Sequence, residues 1–153
     1  MSPNEEFYPM PAFVMLEVGD TAATQKFWEQ ALGFRTVFAM PGPDGRPVLA
    51  HLRRARYADV LVRRAAAGGD GPKGQGVRLN YAVPLEEIDT LFQVAVGAGA
   101  QVVQAVSDRP WNARDFTVAD PDGFHVTFTA GPLKAHRSFE EVMNAAKGAA
   151  NPS

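Results

Sequence analysis

Residues 110–128 read PWNARDFTVADPDGFHVTF, and the reading of Asp120-Pro121-Asp122-Gly123 inside them decides the topology. Asp first, Pro second and Gly fourth are the preferences of a type I turn. This turn separates two strand-like runs, Asp115–Ala119 and His125–Ala130. Working outward, Gln101–Ser107 and Val77–Val83 also read as strands. Between them Leu85, Ile88, Leu91, Phe92 and Ala95 form an apolar helical stripe, ended by Gly97 and Gly99. The unit is one strand, one helix and three strands.

The same order occurs earlier. Ala12–Val18 is a short apolar run, and Asp20 is placed to cap a helix by accepting backbone N–H groups. Ala23, Phe27, Ala31 and Phe34 share one helical stripe, and Gly33 supplies a left-handed stop. Strands are expected at Arg35–Met40, Pro47–Arg53 and Tyr57–Arg63, the first two joined through Pro43-Asp44-Gly45. Gly33 matches Gly99, 66 residues on, and Val18 matches Val83, 65 residues on. DVLV (59–62) then overlies HVTF (125–128). The fold expected is α+β: tandem βαβββ repeats (12–64 and 77–130, linker 65–76) forming a curled, mostly antiparallel sheet with an open concave face. Residues 1–130 would form a single domain.

Residues 131–153 are expected to form a C-terminal helix and tail. Ser138 and Glu141 have capping-box spacing, and Phe139, Val142, Met143 and Ala146 form a stripe that would pack on the domain or on a partner. Gly148–Ser153 have the composition of a disordered end.

The bulk properties narrow the function. There is no cysteine among the 153 residues, so disulfides and thiolate chemistry are excluded. A net charge of −2 gives no general attraction to nucleic acid. No apolar run is long enough to span a bilayer and no signal pattern opens the chain, so a cytoplasmic location is expected. The basic cluster Arg53, Arg54, Arg56, Arg63 and Arg64 reads as a solvated hairpin edge.

A βαβββ repeat with FW…LGF after its first strand and DPDG before its last resembles the vicinal-oxygen-chelate superfamily of glyoxalases, bleomycin-resistance proteins and extradiol dioxygenases. The resemblance runs from Pro11 to Ala130. PWNARDFTVADPDGFHVTF resembles in particular the bleomycin-resistance, antibiotic-binding branch. Enzymes of the superfamily hold a divalent metal with His, Glu or Gln side chains, one from the first and last strand of each unit. The matching positions here are Phe13, Leu61, Arg78 and Thr127. Phe and Leu cannot ligate, Arg has no acceptor, and a lone Thr is a poor ligand. No metal, cofactor or catalytic residue is therefore expected. A His51/His125/Asp59 metal site is the lesser alternative, with His125 more simply a polar group of the pocket or a satisfied structural histidine.

Strand alternation lists the face carrying those positions: Phe13, Met15 and Glu17; Asp59, Leu61 and Arg63; Arg78 and Asn80; His125, Thr127 and Thr129. Val14, Leu16, Val18, Leu79, Tyr81 and Val83 would lie beneath the helices. By resemblance Trp111 sits where the branch stacks a planar part of the antibiotic, and Phe38 is a second aromatic wall. Trp28 reads as packing. Asn112 is a possible donor to a ligand carbonyl or a turn former, and Arg114 with Asp115 reads as an ion pair.

Binders of bleomycin in this branch are strongly acidic, whereas this chain is nearly neutral and its face includes Arg63 and Arg78. The expected ligand is thus a planar, neutral or weakly acidic aromatic antibiotic: a quinone, mitomycin-like or enediyne-type compound, sequestered without chemical change. A homodimer, with an N-terminal strand exchanged through the FYPMP arm (7–11), is the expected assembly. The alternatives are a superfamily enzyme with a non-standard or absent metal site, in which His125 or Glu17 moves a proton, and a purely structural interaction domain.

Overall fold

A computed structural model describes residues 8–10, 12–66, 73–135 and 138–150. Its elements run β1 (Met15–Val18), α1 (Thr21–Leu32), β2 (Arg35–Pro41), β3 (Pro47–Ala55), β4 (Ala58–Arg64), β5 (Arg78–Ala82), α2 (Ile88–Gly97), β6 (Gln101–Arg109), β7 (Ala113–Ala119), β8 (His125–Ala130) and α3 (Phe139–Ala150). A 3-10 turn at Leu85–Glu87 leads into α2. The strands form two four-stranded sheets, ordered β1-β4-β3-β2 and β5-β8-β7-β6. In each, the first strand pairs parallel to the last and the other pairs are antiparallel.

The local signals act as physical chemistry requires. Asp20 Oδ1 accepts from the Ala23 N–H at 3.1 Å, and Gly33 ends α1 at φ 73°. Gly45, at φ 76°, donates its N–H to the Gly42 carbonyl at 3.0 Å and closes the β2–β3 hairpin. In the DPDG turn the Gly123 N–H reaches the Asp120 carbonyl at 2.9 Å. Ser138 and Glu141 cap α3 reciprocally, at 3.1 and 2.9 Å.

One core serves both sheets and both packed helices. Leu16, Val18, Leu52, Val60 and Val62 come from the first sheet, and Phe116, Val118, Val126 and Phe128 from the second. The α1 stripe differs from expectation: Thr24, Trp28, Ala31 and Leu32 are buried, while Ala23 is exposed and Phe27 only half-buried. Trp28 sets this rotation. Its ring meets Phe34 edge-on at 4.8 Å, and its Nε1 reaches Asp120. In α2 the buried residues are Ile88, Leu91 and Ala95. Val14, expected beneath a helix, is 39% exposed because β1 begins only at Met15.

Two charge readings need correction. Arg53 is not on a solvated edge; it is 1% exposed and held by Asp59. Arg114 and Asp115 are not a pair, since strand neighbours face opposite ways. Arg114 bonds Asp89 and Asp108, at 2.8 and 2.9 Å, and Asp115 takes Arg109 at 2.7 Å.

Helix α3 continues to Ala150, beyond the expected start of the disordered end at Gly148, and none of its residues is buried. Residues 67–72 of the linker, Phe7 and Pro11 of the arm, His136, and 151–153 lie outside the described residues. Among those described, no helix is long and apolar enough to cross a membrane.

Candidate functional site

With Leu16, Val18, Ala50, Leu52, Val60 and Val62 committed to the core, alternation leaves the other face of the first sheet to a second set of side chains. Register aligns four of them in one row: Met15 beside Leu61, Leu61 beside His51, and His51 beside Phe38. Phe38 enters the row because a bulge between Thr36 and Phe38 shifts β2 by one residue. Met15, Phe38 and Met40 are each more than two-fifths exposed, an unusual concentration of large apolar surface. The adjacent row carries Glu17, Arg63, Leu49 and Met40, with Glu17 and Arg63 ion-paired. A recess of about 600 Å³ lies among Met15, Met40, Leu49 and Arg63.

One polar group interrupts the apolar row. His51 Nε2 lies 2.7 Å from Asp59 Oδ1, which also accepts from Arg53 Nε at 2.6 Å. The Tyr8 hydroxyl donates to Asp59 Oδ2 and accepts from the Tyr57 N–H at 2.7 Å. The Tyr8 ring meanwhile lies 4.3 Å from the Arg53 guanidinium carbon. Burial alone would raise the Asp59 pKa, but hydrogen bonds from Tyr8, Arg53 and His51 outweigh it and hold the carboxyl below its ordinary range. His51 is thereby fixed in orientation while its ring borders Leu61 and Phe38. Tyr81, whose hydroxyl burial pushes upward, contacts the Asp59 carbonyl at 3.5 Å.

On the second sheet Arg78 lies beside His125 and Asn80 beside Thr127. Thr127 is buried, and its hydroxyl is shared with Thr117 at 2.7 Å. A recess of about 450 Å³ brings Phe13 together with Arg78, Asn80, Tyr57, Asp59 and Tyr81.

The four positions that would hold a divalent metal in a superfamily enzyme do not fit one. Leu61 and Phe13 lack donors, Arg78 is a cation, and the Thr127 oxygen is engaged by Thr117. Among the described residues no three His, Asp or Glu side chains are grouped to hold a metal. The His51/His125/Asp59 alternative does not form either: Asp59 holds His51, but the three are not grouped among the described residues, and His125 lies beside Arg78 on the second sheet.

The sequence-derived site residues thus fall into three places. Phe13, Met15, Phe38, Leu61 and Arg63 belong to the first sheet and the segment leading into it, and Arg78, Asn80, His125 and Thr127 to the second, with Phe13, Arg78 and Asn80 meeting in one recess. Trp111 and Asn112 sit at the tip of the β6–β7 hairpin, which closes next to Ala130. Ala130 is the opposite end of β8 from His125, about 17 Å away at ordinary strand rise. Trp111 is 47% exposed. Asn112 is the turn former of the two readings: at φ 64°, its Oδ1 accepts from the Lys134 N–H and its Nδ2 donates to the Lys134 carbonyl, both at 2.9 Å. The contributions of Tyr8 and Arg53 were missed. The signal available was Arg53 and Asp59 flanking a tight hairpin six residues apart, the spacing of a cross-strand pair.

The model of the Glyoxalase/Bleomycin resistance protein/Dioxygenase superfamily matches residues 11–128. An uncharacterized protein of Mycobacterium bovis is 32% identical over 115 residues, 72% of this chain and 76% of its own. Among solved structures, TioX from Micromonospora sp. ML1 is similar at 26% identity and a TM-score of 0.62, covering 83% of this chain and 98% of TioX. The genomically encoded fosfomycin resistance protein FosX of Listeria monocytogenes shares the fold at 14% identity and a TM-score of 0.63, over 89% of this chain and 99% of its own. From its matched residues, sheet order and relatives, the chain belongs to the glyoxalase/bleomycin resistance protein/dioxygenase superfamily.

Proposed function

We propose that this protein is an antibiotic-binding self-resistance protein of the cytoplasm, which sequesters a planar aromatic natural product of the quinone, mitomycin-like or enediyne type without altering it. The observation that carries the reading is the row Met15, Leu61, His51 and Phe38. In this row adaptable apolar side chains and one fixed polar group lie on the face where the resemblance places the metal ligands of superfamily enzymes. Planar rings bind such a face by dispersion and area, and a single oriented imidazole sets their direction.

In this reading the two sheets are tandem βαβββ repeats, each with an open concave face. The pairs Met15–Leu61 and Asn80–Thr127 stand 65 and 66 residues apart, as a repeat requires. The working form is a homodimer in which the second sheet of one protomer, with Trp111, faces the first sheet of its partner. Exposure of Phe13, Met15, Phe38, Met40 and Trp111 supports such a cover.

A second reading has one observation in its favour. A histidine oriented by a buried carboxylate, as His51 is by Asp59, is also an arrangement for moving protons in a metal-free enzyme.

One experiment separates the two. Sedimentation velocity sets the oligomeric state, and mitomycin C and an anthraquinone are titrated by fluorescence and then recovered for mass analysis. Saturable binding by a dimer with unchanged compound is the expected result. A converted compound favours the enzyme, and one divalent metal per chain in the purified protein overturns the metal-free reading.

A further inference from the structure

The segment 73–78 crosses the DPDG turn and leaves a recess of about 520 Å³ lined by Lys73, Gly74, Gly76, Arg78, Gly123 and His125. The recess is built rather than incidental. Gly74, at φ 75°, lies so close to the turn that a Cβ there would meet the Gly123 carbonyl oxygen and Phe124 Cα at 2.7 Å. The Val77 N–H closes the segment on the Gly74 carbonyl at 3.4 Å.

Its charge is one-sided. The carboxylates of the turn are spent on the opposite side: Asp122 accepts from the Gly19 N–H and the Thr24 hydroxyl, and Asp120 from Trp28 and from backbone N–H groups. None of the ion pairs among the described residues involves Lys73, Arg78 or His125. Two permanent cations and an imidazole thus converge on a polar recess, with no described carboxylate neutralising them. Arg78 also borders the recess containing Phe13, Asn80 and Asp59, whose carboxylate is already taken by Tyr8, His51 and Arg53, so Arg78 joins the cationic end to an aromatic surface.

We propose that this recess is an oxyanion subsite that takes a carboxylate carried by the bound aromatic ligand, with Arg78 as its principal donor. A guanidinium offers paired N–H groups to two carboxylate oxygens, Lys73 adds charge, and the His125 ring can offer a further N–H donor. The ring lies toward Phe13 while the acid group enters between Lys73 and His125. The ligand class is accordingly a planar aromatic acid, which excludes polycationic drugs. For the ring this rests on the sequestration reading; the anion site stands on the recess alone.

The test has two arms. In the first, benzoate and inorganic phosphate are titrated into isotope-labelled protein while the amide resonances of Gly74, Gly76 and Gly123 are followed. Saturable shifts with benzoate, lost in Arg78→Gln and kept in Arg63→Gln, are expected. Absence of shifts, or their persistence in Arg78→Gln, overturns the subsite, and tighter binding of phosphate overturns its assignment to a carboxylate. In the second arm, anthraquinone-2-carboxylate is compared with the neutral 2-hydroxymethyl compound. The acid is expected to bind about tenfold tighter, and Arg78→Gln to abolish that preference. Equal binding overturns the ligand class. Benzoate shifts without binding of either quinone leave the subsite standing and overturn the sequestration reading instead.

Discussion

The indole Nε1 of Trp28 donates to Asp120 Oδ2 at 3.1 Å, joining residues 92 apart in the chain. The bond ties the first helix to the DPDG turn, and Asp122 adds two more from the same turn to Gly19 and Thr24. Both halves of the molecule are held in register at this point, the Trp28–Asp120 bond by buried groups and the Asp122 bonds nearer the surface.

Replacing Trp28 with Phe therefore removes a buried donor and leaves a space beside Phe34. The expected loss is about 2–4 kcal/mol in urea unfolding at neutral pH. Burial pushes the Asp120 carboxyl above its ordinary range, and the Trp28 hydrogen bond is the largest force opposing that rise. A raised native pKa means the folded state holds the proton more tightly, so stability from this group falls as pH climbs from the ordinary carboxylate range through the native pKa. Trp28→Phe raises that pKa further. Its deficit should therefore be largest at neutral pH and shrink as the pH is lowered; a constant deficit across that range would contradict the account.

Asp59 has the opposite sign. Burial raises its pKa, but Tyr8, Arg53 and His51 together bring it below the ordinary value. The stability it contributes is present above the unfolded pKa of about 4 and is lost as pH falls through the lower native pKa. Asp59→Asn should cost about 3 kcal/mol at neutral pH by removing the carboxylate that Arg53 grips. Its urea midpoint should also fall less than that of the parent between pH 4 and pH 2. An equal fall would show that Asp59 is not the group titrating.

The contrast between these two carboxylates marks how far the sequence could be read. Asp120 declares itself through turn chemistry, because Asp-Pro-Asp-Gly is a local signal. The element order follows the same kind of local rule, through Asp20, Gly33 and the period of the apolar residues. Trp28 shows the limit. Apolar spacing on α1 points to Ala23 and Phe27 as its stripe, because an indole there gives no hint of a partner 92 residues away. A charged residue in a basic run such as Arg53 is ordinarily solvated, and only the register of β3 on β4 reveals Asp59 opposite it. Alternation puts Met15 and Leu61 on one face, and the register of β1 on β4 sets them side by side. Whether Phe38 joins them depends on a one-residue bulge, which alternation cannot foresee.

Gly74 and Gly76 offer a matched pair for the segment that borders the cationic recess. Both have positive φ, 75° and 76°, so alanine is strained at either by about 1–2 kcal/mol. Only at Gly74 would the new Cβ also strike backbone, at 2.7 Å; at Gly76 nothing lies within 4 Å. Gly74→Ala should therefore lower the melting temperature more than Gly76→Ala, and it should shift the amide resonances of Gly123 and Phe124. Similar melting temperatures for the two variants would mean that the segment does not rest on the turn.

Trp111 is the exposed tryptophan of two, since Trp28 is completely buried. A quinone stacked on Trp111 should quench the solvent-exposed part of the emission and leave the contribution of Trp28. Trp111→Ala should weaken binding about 10- to 100-fold, the range for loss of one stacked ring. Phe38→Ala should weaken it as well, although Trp111 is on the second sheet's hairpin tip and Phe38 on the first sheet. Their placement on different sheets makes the pair diagnostic. If both variants lose affinity and the protein is a dimer, mixing the two weakened variants should restore one full-affinity site per heterodimer, built from Phe38 of one protomer and Trp111 of its partner. Mixed protein whose binding stays weakened after confirmed subunit exchange would place both aromatics in a site made by a single chain, or remove Trp111 from the ligand altogether.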